Sequence, residues 1–334
     1  MRKISLTNKI ENTIKKYNLL TKDDIVIVAV SGGPDSMCLI DNLLKLKEKF
    51  KVKEIVVAHL NHMIRKEAKE ETKYVEEYCK KNNIRCYTKF LDIPKISKEE
   101  KKGTEEVGRE ERYKFFDEVM KEVNATKIAI AHNKKDNCET VLMHFMRGSG
   151  LAGLTGIRAY SEKKYIRPLI ECSREEIEEY CREEQLDPKY DKTNYDNEYT
   201  RNRIRNELIP YIEKNFNPNI IETAKRLSDV AYETEEYMQK KTDEEYLKMI
   251  ESNEENQIII NLKKFNENEK VIKSRIIFKI GKELFGTAKG LEKVHIEDII
   301  TLCGNNIGNK FLTPNKRFKV YVKDGKIYFS KVQF

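Results

Sequence analysis

A doubly wound, mostly parallel α/β sheet, followed by a smaller and mainly helical domain with a short β end, is the fold class that the sequence predicts. Three observations predict it. Continuous apolar runs (Ile25 to Val30, Ile55 to Leu60, Lys127 to Ala131) recur between segments of helical spacing, as strands buried on both faces require. Each run is followed at once by a polar cluster, Ser31 to Ser36, His59 to Arg65 and His132 to Thr140, where the carboxyl ends of such strands gather ligands. After Asn206 the pattern changes to long polar helices.

The first segment places Ile4, Ile10, Ile14 and Leu20 at loosely helical spacing, and Asp24 to Val30 follows as a buried strand. The pattern then predicts a helix over about 37–49, a strand over 55–60, a helix over about 66–82, a strand near 85–91, a helix over about 105–123 and a strand over 127–131. Alternation of this kind implies right-handed crossovers in an open sheet. The expected domains are 1–215 and 216–334. The second carries helices over about 218–252 and 270–284, and ends with Arg317 to Val322 and Lys326 to Phe329 flanking Lys323-Asp324-Gly325, a hairpin signal.

Composition excludes several classes. With 334 residues, 39% apolar and 36% charged, the chain can bury two cores and is neither disordered nor membranous. The start, Met1-Arg2-Lys3-Ile4-Ser5, lacks the apolar stretch of a signal peptide, so the expected location is the cytoplasm. Seven cysteines contain no C-x-x-C pair, which suggests neither a disulfide framework nor a cysteine-rich zinc site. A net charge of +8 permits a polyanionic partner without requiring one.

The chemistry starts at Ser31-Gly32-Gly33-Pro34-Asp35-Ser36. A glycine turn between a buried strand and a helix aims backbone N–H groups and the positive helix end at an anion. Gly32 and Gly33 allow close approach, Ser31 and Ser36 add hydroxyls, and Pro34 suits the first helical turn. Asp35 beside a phosphate makes sense as a Mg²⁺ ligand. At this loop the string fits neither G-x-x-x-x-G-K-[ST] nor G-x-G-x-x-G.

This string resembles the fingerprint S-G-G-x-D-S of the PP-loop ATP pyrophosphatases, Rossmann-like enzymes that cleave ATP between its α- and β-phosphates and leave AMP on the atom to be replaced. Further strings are similar to the tRNA(Ile)-lysidine synthetase family: His59 to Arg65, Arg109 to Tyr113, Ala131-His132, Asp136 to Thr140, Arg147 to Leu154, Arg167-Pro168-Leu169, Asp191 to Asn194 and Tyr199 to Arg205. The resemblance implies a ligase that uses Mg²⁺ and ATP to adenylate the 2-position of the wobble cytidine in the CAU anticodon of tRNA(Ile). Free L-lysine then displaces AMP, giving lysidine and AUA decoding. Where the family shows two histidines and a paired acid, this chain has His132-Asn133-Lys134-Lys135-Asp136, with one of each. Many members carry a further domain for the acceptor stem, so the resemblance implies a short or truncated form. It leaves room for a homodimer.

Site residues follow from the same reading. Ser31 to Ser36 and His59 are expected at ATP, with Asp35 holding Mg²⁺. Arg112 and Arg205 are expected to contact the phosphates or the adenylated base, because a guanidinium keeps its charge and offers a planar fork. Lysine brings two amines, so its pocket needs acids: Asp136 and Glu139, three residues apart on one helix face, with His132 beside them. Asp35, Arg112, Asp136 and Arg205 form the expected catalytic set. Arg201, Arg203 and Arg205, the densest basic cluster and one read as not matched by acids nearby, are expected at tRNA.

Overall fold

The structure, a computed structural model, describes residues 5–63, 68–189, 199–287, 290–305, 311–315 and 318–332. The expected motif positions Ile64, Arg65 and Asp191 to Asn194, and Arg317 at a strand start, lie outside them. The chain divides into two units, Met1–Ala231 and Tyr232–Phe334.

The first unit runs α1 (Leu6–Lys16), β1 (Ile25–Ala29), α2 (Pro34–Leu46), β2 (Glu54–Asn61), α3 (Ala68–Lys81), β3 (Arg85–Phe90), α4 (Ile93–Glu100), α5 (Thr104–Val123), β4 (Lys127–Ala129), α6 (Lys134–Met146), α7 (Gly150–Leu154), β5 (Tyr160–Ser161), β6 (Tyr165–Ile166), α8 (Arg174–Glu183), α9 (Thr200–Arg203), a π-helical turn (Ile204–Leu208) and α10 (Ile209–Asn215). The unit boundary falls within the next helix, α11 (Ile220–Met249).

The sheet order is β3-β2-β1-β4-β6-β5. All neighbours are parallel except the β5–β6 pair. The chain leaves β1 toward β2 and β3 and returns to lay β4 on the other side of β1. The carboxyl ends of β1 and β4 therefore flank the point where the strand order reverses, the crevice in which open α/β sheets bind ligands.

The apolar runs are continuous because both sheet faces are covered. Val26 and Val28 join a core with α1, α2 and α8, while Ile27 and Ile128 pack on Phe115, Phe116 and Val119 of α5. Fully burying each such side chain stabilises by about 1.5–3 kcal/mol. Beyond the expected elements, the structure adds α4, with Asp92 as its N-cap and Pro94 in its first turn, the short strands β5 and β6, and the helical segments α7 to α10 with the π-helical turn.

In the second unit, β7 (Ile250–Glu254), β8 (Gln257–Asn261), α12 (Leu262–Asn266), α13 (Lys270–Phe285), α14 (Lys293–Gly304), β9 (Phe311–Asn315), β10 (Phe318–Lys323) and β11 (Lys326–Lys331) follow the helix. The strands form an antiparallel sheet in the order β7-β8-β11-β10-β9. Alternate residues Ile258, Ile260, Phe318, Val320, Ile327 and Phe329 face a core shared with Ile276 and Ile280 of α13 and Ile296 and Ile299 of α14. Asp324 and Gly325 turn with φ of 50° and 70°, the two positive values that a two-residue hairpin of this hand needs. The β part is thus larger than the sequence suggested, and the long helix yields to a strand at Ile250.

Candidate active site

The loop after β1 is wound so that its own side chains shape it. Ser36 Oγ accepts from the Ser31 amide at 3.1 Å and donates to the Gly33 carbonyl at 3.0 Å. Gly32 has φ of 90°, which strains any residue with a Cβ. Its carbonyl accepts from the Lys189 amide at 2.9 Å. Gly33 caps α2 without a side-chain hydrogen bond and Pro34 occupies the first turn, leaving that helix end suited to an anion.

Asp35, in the first turn of α2, faces the first turn of α6. Asn133 caps α6, its side chain accepting from the Lys135 and Asp136 amides, while Asp136 accepts from the Asn133 amide at 2.9 Å. The same Asn133 donates through Nδ2 to Asp35 Oδ1 at 2.9 Å. The other Asp35 oxygen takes the guanidinium of Arg174, the first residue of α8. Burial pushes the Asp35 carboxyl above the ordinary carboxylate range, against the pull of Arg174.

One turn along α6, Asp136 and Glu139 meet two arginines, Arg201 of α9 and Arg205 of the π-helical turn. Glu139 is fully buried. It accepts from Arg201 Nε at 2.7 Å and from Arg205 Nε and Nη2 at 2.5 and 2.9 Å. Asp136 Oδ1 accepts from Arg201 and Arg205 at 3.2 and 3.0 Å. Burial works against the ionised form of Asp136, but Arg201 and its neighbours hold its carboxyl below the ordinary value. Arg205 lies in the π-helical turn, an irregularity that recurs at functional sites.

This geometry corrects the reading of residues 201–205 as an unmatched basic cluster. Arg201 and Arg205 are matched by acids more than 60 residues earlier in the chain. Of the three, Arg203 is exposed, and among the described residues it makes a loose contact to Glu207. His59 has its ring nitrogens engaged within the fold. It is 2% exposed, bonds the Val30 carbonyl through Nδ1 at 2.8 Å and meets Thr72 Oγ1 through Nε2 at 2.9 Å. Its bond to the Val30 carbonyl ties the end of β2 to the start of the phosphate loop.

His132 lies near Asp136 and accepts at Nδ1 from Arg167 Nε across 3.0 Å. Burial pulls its pKa down to about 3, so it is neutral at physiological pH. Buried Arg167 also donates to the Arg158 carbonyl at 2.7 Å and Ser161 Oγ at 3.0 Å. Arg112, exposed on α5, donates to His62 Nε2 at 3.1 Å.

Sequence reasoning gave no site role to Asn133, Arg167 or His62, although each stands in a string quoted above, and it missed Arg174 altogether. A signal existed for two of the helix starts: Asn133 with Asp136 and Ser173 with Glu176 are capping boxes. No local signal pairs Arg174 with Asp35 across 139 residues.

Magnesium fits as a companion of ATP rather than as a resident ion. Asp35 would offer one carboxylate, and Mg²⁺ is commonly held by one or two carboxylates plus substrate phosphates. Among the described residues no group of three His, Cys, Asp or Glu side chains converges on a point that could hold a metal. All seven cysteines are free. Cys138 and Cys172 are fully buried, and burial raises each thiol to about 12.

The sheet, its reversal point and the loop define an ATP-using enzyme of the PP-loop class, and a family profile described as a PP-loop domain matches residues 3–212. The chain is 42% identical over 324 residues to a tRNA(Ile)-lysidine synthase of Clostridium tetani, spanning 97% of this chain and 68% of the relative. It is 43% identical over 311 residues to one of Clostridium acetobutylicum, spanning 93% and 67%. The chain belongs to the tRNA(Ile)-lysidine synthase family, whose members are ATP-dependent ligases. Its fold is also that of the U34-tRNA thiolase NcsA from Methanococcus maripaludis, at a TM-score of 0.55 and 20% identity over 67% of this chain and 78% of that one. No helix among the described residues is long and apolar enough to cross a membrane.

Proposed function

We infer that this chain ligates L-lysine to the 2-position of the wobble cytidine in the CAU anticodon of tRNA(Ile), in two steps. The cytosine 2-oxygen attacks the α-phosphorus of ATP and pyrophosphate leaves. The lysine ε-amine then attacks C2, and AMP leaves with that oxygen. The observation that carries the reading is the hydrogen bond from Asn133 to Asp35, because it joins the phosphate loop to the helix that bears the acid pair.

Each part has a job in this reading. The loop amides and the α2 terminus bind the phosphates, with Mg²⁺ at Asp35 to offset their charge. Holding ATP, cytidine and lysine in line can lower the barrier by roughly 7–11 kcal/mol. Asp136 and Glu139 receive the lysine amines, yet two arginines already balance their two charges. Arg205 therefore turns toward the phosphates or the adenylated base as lysine enters, and its charge is used where it develops. His132, its pKa pulled down to about 3 by burial, stays neutral beside the acid pair, and the amine's proton passes to one of these three side chains. The division of labour is catalysis in 1–215 and tRNA binding in 216–334, with Arg203 available to RNA phosphates.

Incubation with labelled lysine, Mg²⁺, ATP and the tRNA transcript tests this. Label should enter RNA only when all are present. Pyrophosphate release without label would leave adenylation standing and remove lysine as the nucleophile.

A further inference from the structure

The antiparallel sheet of the second unit has one face in the core and one outside it. On the outer face the strand registers align Phe311 of β9 with Tyr321 of β10, Tyr321 with Tyr328 of β11, and Tyr328 with Ile259 of β8. One apolar row therefore crosses four strands. Tyr321 and Tyr328 lie parallel, with ring centroids 4.6 Å apart and planes 2° apart, and Phe311 is 60% exposed.

Polar rows flank it. On one side Lys319 pairs with Ser330 and Ser330 with Gln257; on the other Lys323 pairs with Lys326 and Lys326 with Asn261. The Lys319 ammonium lies 4.7 Å from the Phe311 ring centroid and 5.7 Å from that of Tyr321. From residue 310 to the end, the sequence has seven lysines and arginines against one acid, Asp324.

An outer face that only met water would alternate polar residues opposite the core. An aromatic row edged by cations is instead the makeup of surfaces that stack nucleobases and follow the phosphate chain. We propose that this face binds unpaired bases of RNA, with Tyr321, Tyr328 and Phe311 as the stacking row and Lys319 beside it at the phosphates. Glu251 of β7 matches Lys326 at 2.8 Å, whereas among the described residues Lys319 and Lys323 have no acid partner, and these two cations beside the aromatic row favour an RNA over an apolar protein surface. The proposal rests on the tRNA reading above and adds a surface and a mode of contact to it.

The test uses the full chain, a CAU-anticodon tRNA(Ile) transcript, and single-stranded oligouridylate with an RNA duplex of equal length as competitors. The Tyr321→Ala/Tyr328→Ala variant should bind the transcript about five-fold or more weakly. Pyrophosphate release at saturating tRNA should be unchanged, while the KM for tRNA rises. Tyr321→Phe/Tyr328→Phe should bind like wild type, and oligouridylate should compete better than the duplex. Lys319→Glu leaves the rings in place and should weaken binding and flatten its salt dependence, which keeps the test open if the alanine variant unfolds. Wild-type affinity in a folded alanine variant together with wild-type affinity in Lys319→Glu would overturn the proposal, as would a phenylalanine variant as weak as the alanine one. An apolar protein contact would appear as wild-type self-association that the alanine variant abolishes, with RNA affinity unaffected, and would also overturn it. Lysine incorporation by wild type in the same preparation separates these results from failure of the enzymatic reading.

Discussion

Asn133 Nδ2 lies 2.9 Å from Asp35 Oδ1, so the first turns of two helices 98 residues apart in the chain share one hydrogen bond at the reversal point of the sheet. Asn133 therefore acts as helix cap, partner of the Asp136 capping box and support for Asp35.

Asp35→Ala should lower pyrophosphate release by about 100-fold or more while the circular dichroism spectrum stays that of wild type. Asn133→Ala should act through the same carboxylate and also lose its cap, costing about 0.5–2 kcal/mol in urea denaturation. Wild-type pyrophosphate release in Asp35→Ala would remove Asp35 from the ATP site.

Arg205→Ala leaves Glu139 buried with half of its partners. Breaking a buried pair in this way costs about 3–5 kcal/mol, and Arg205→Lys should not rescue it, because the ammonium cannot reproduce the Nε and Nη2 fork. Adding Glu139→Gln to Arg205→Ala should recover part of the loss. A double-mutant cycle in urea measures it, and a coupling near zero would contradict the pairing.

Asp136→Ala and Glu139→Ala should raise the lysine concentration needed for half-maximal label incorporation more than they slow pyrophosphate release. Equal damage to both steps would point to a purely structural acid pair.

Cys138→Ser and Cys172→Ser should keep lysine incorporation, since neither buried thiol can ionise near neutrality. Abolished turnover in a folded variant would favour thiol chemistry.

His62 and His132 have folded pKa values pulled to about 4 and about 3 by burial, below an unfolded value near 6.5. Between those limits the unfolded chain binds more protons. The contribution of each ring is thus complete above pH ~6.5 and is lost as pH falls toward its folded value. Each contributes a slope of at most about 1.4 kcal/mol per pH unit. Urea midpoints measured from pH 7 to 5 should fall less steeply for His62→Gln than for wild type.

The central strands and the phosphate loop were legible because their signals are local: β1 is apolar throughout, and Gly32-Gly33-Pro34 marks a strand-to-helix turn. The Lys323-Asp324-Gly325 signal likewise gave the last hairpin. The two-residue strands β5 and β6 are too short to show periodicity, and β7 and β8 follow a helix whose polar pattern hides its end. In the site, Asp136 and Glu139 could be placed on one helix face from their spacing. Their arginine partners could not, because charge matching 62 to 69 residues away is a tertiary fact. His59 was legible as a polar residue at a strand end but not as a buried one, since its partners Val30 and Thr72 come from other elements.

The most direct test of the ligase reading is nuclease digestion and mass spectrometry of the CAU-anticodon tRNA(Ile) transcript after reaction with Mg²⁺, ATP and lysine. One lysine condensed onto the wobble cytidine, with loss of water and no residual AMP, is the expected product. Lysine on another nucleotide, or an adenylated cytidine that persists in excess lysine, would contradict it.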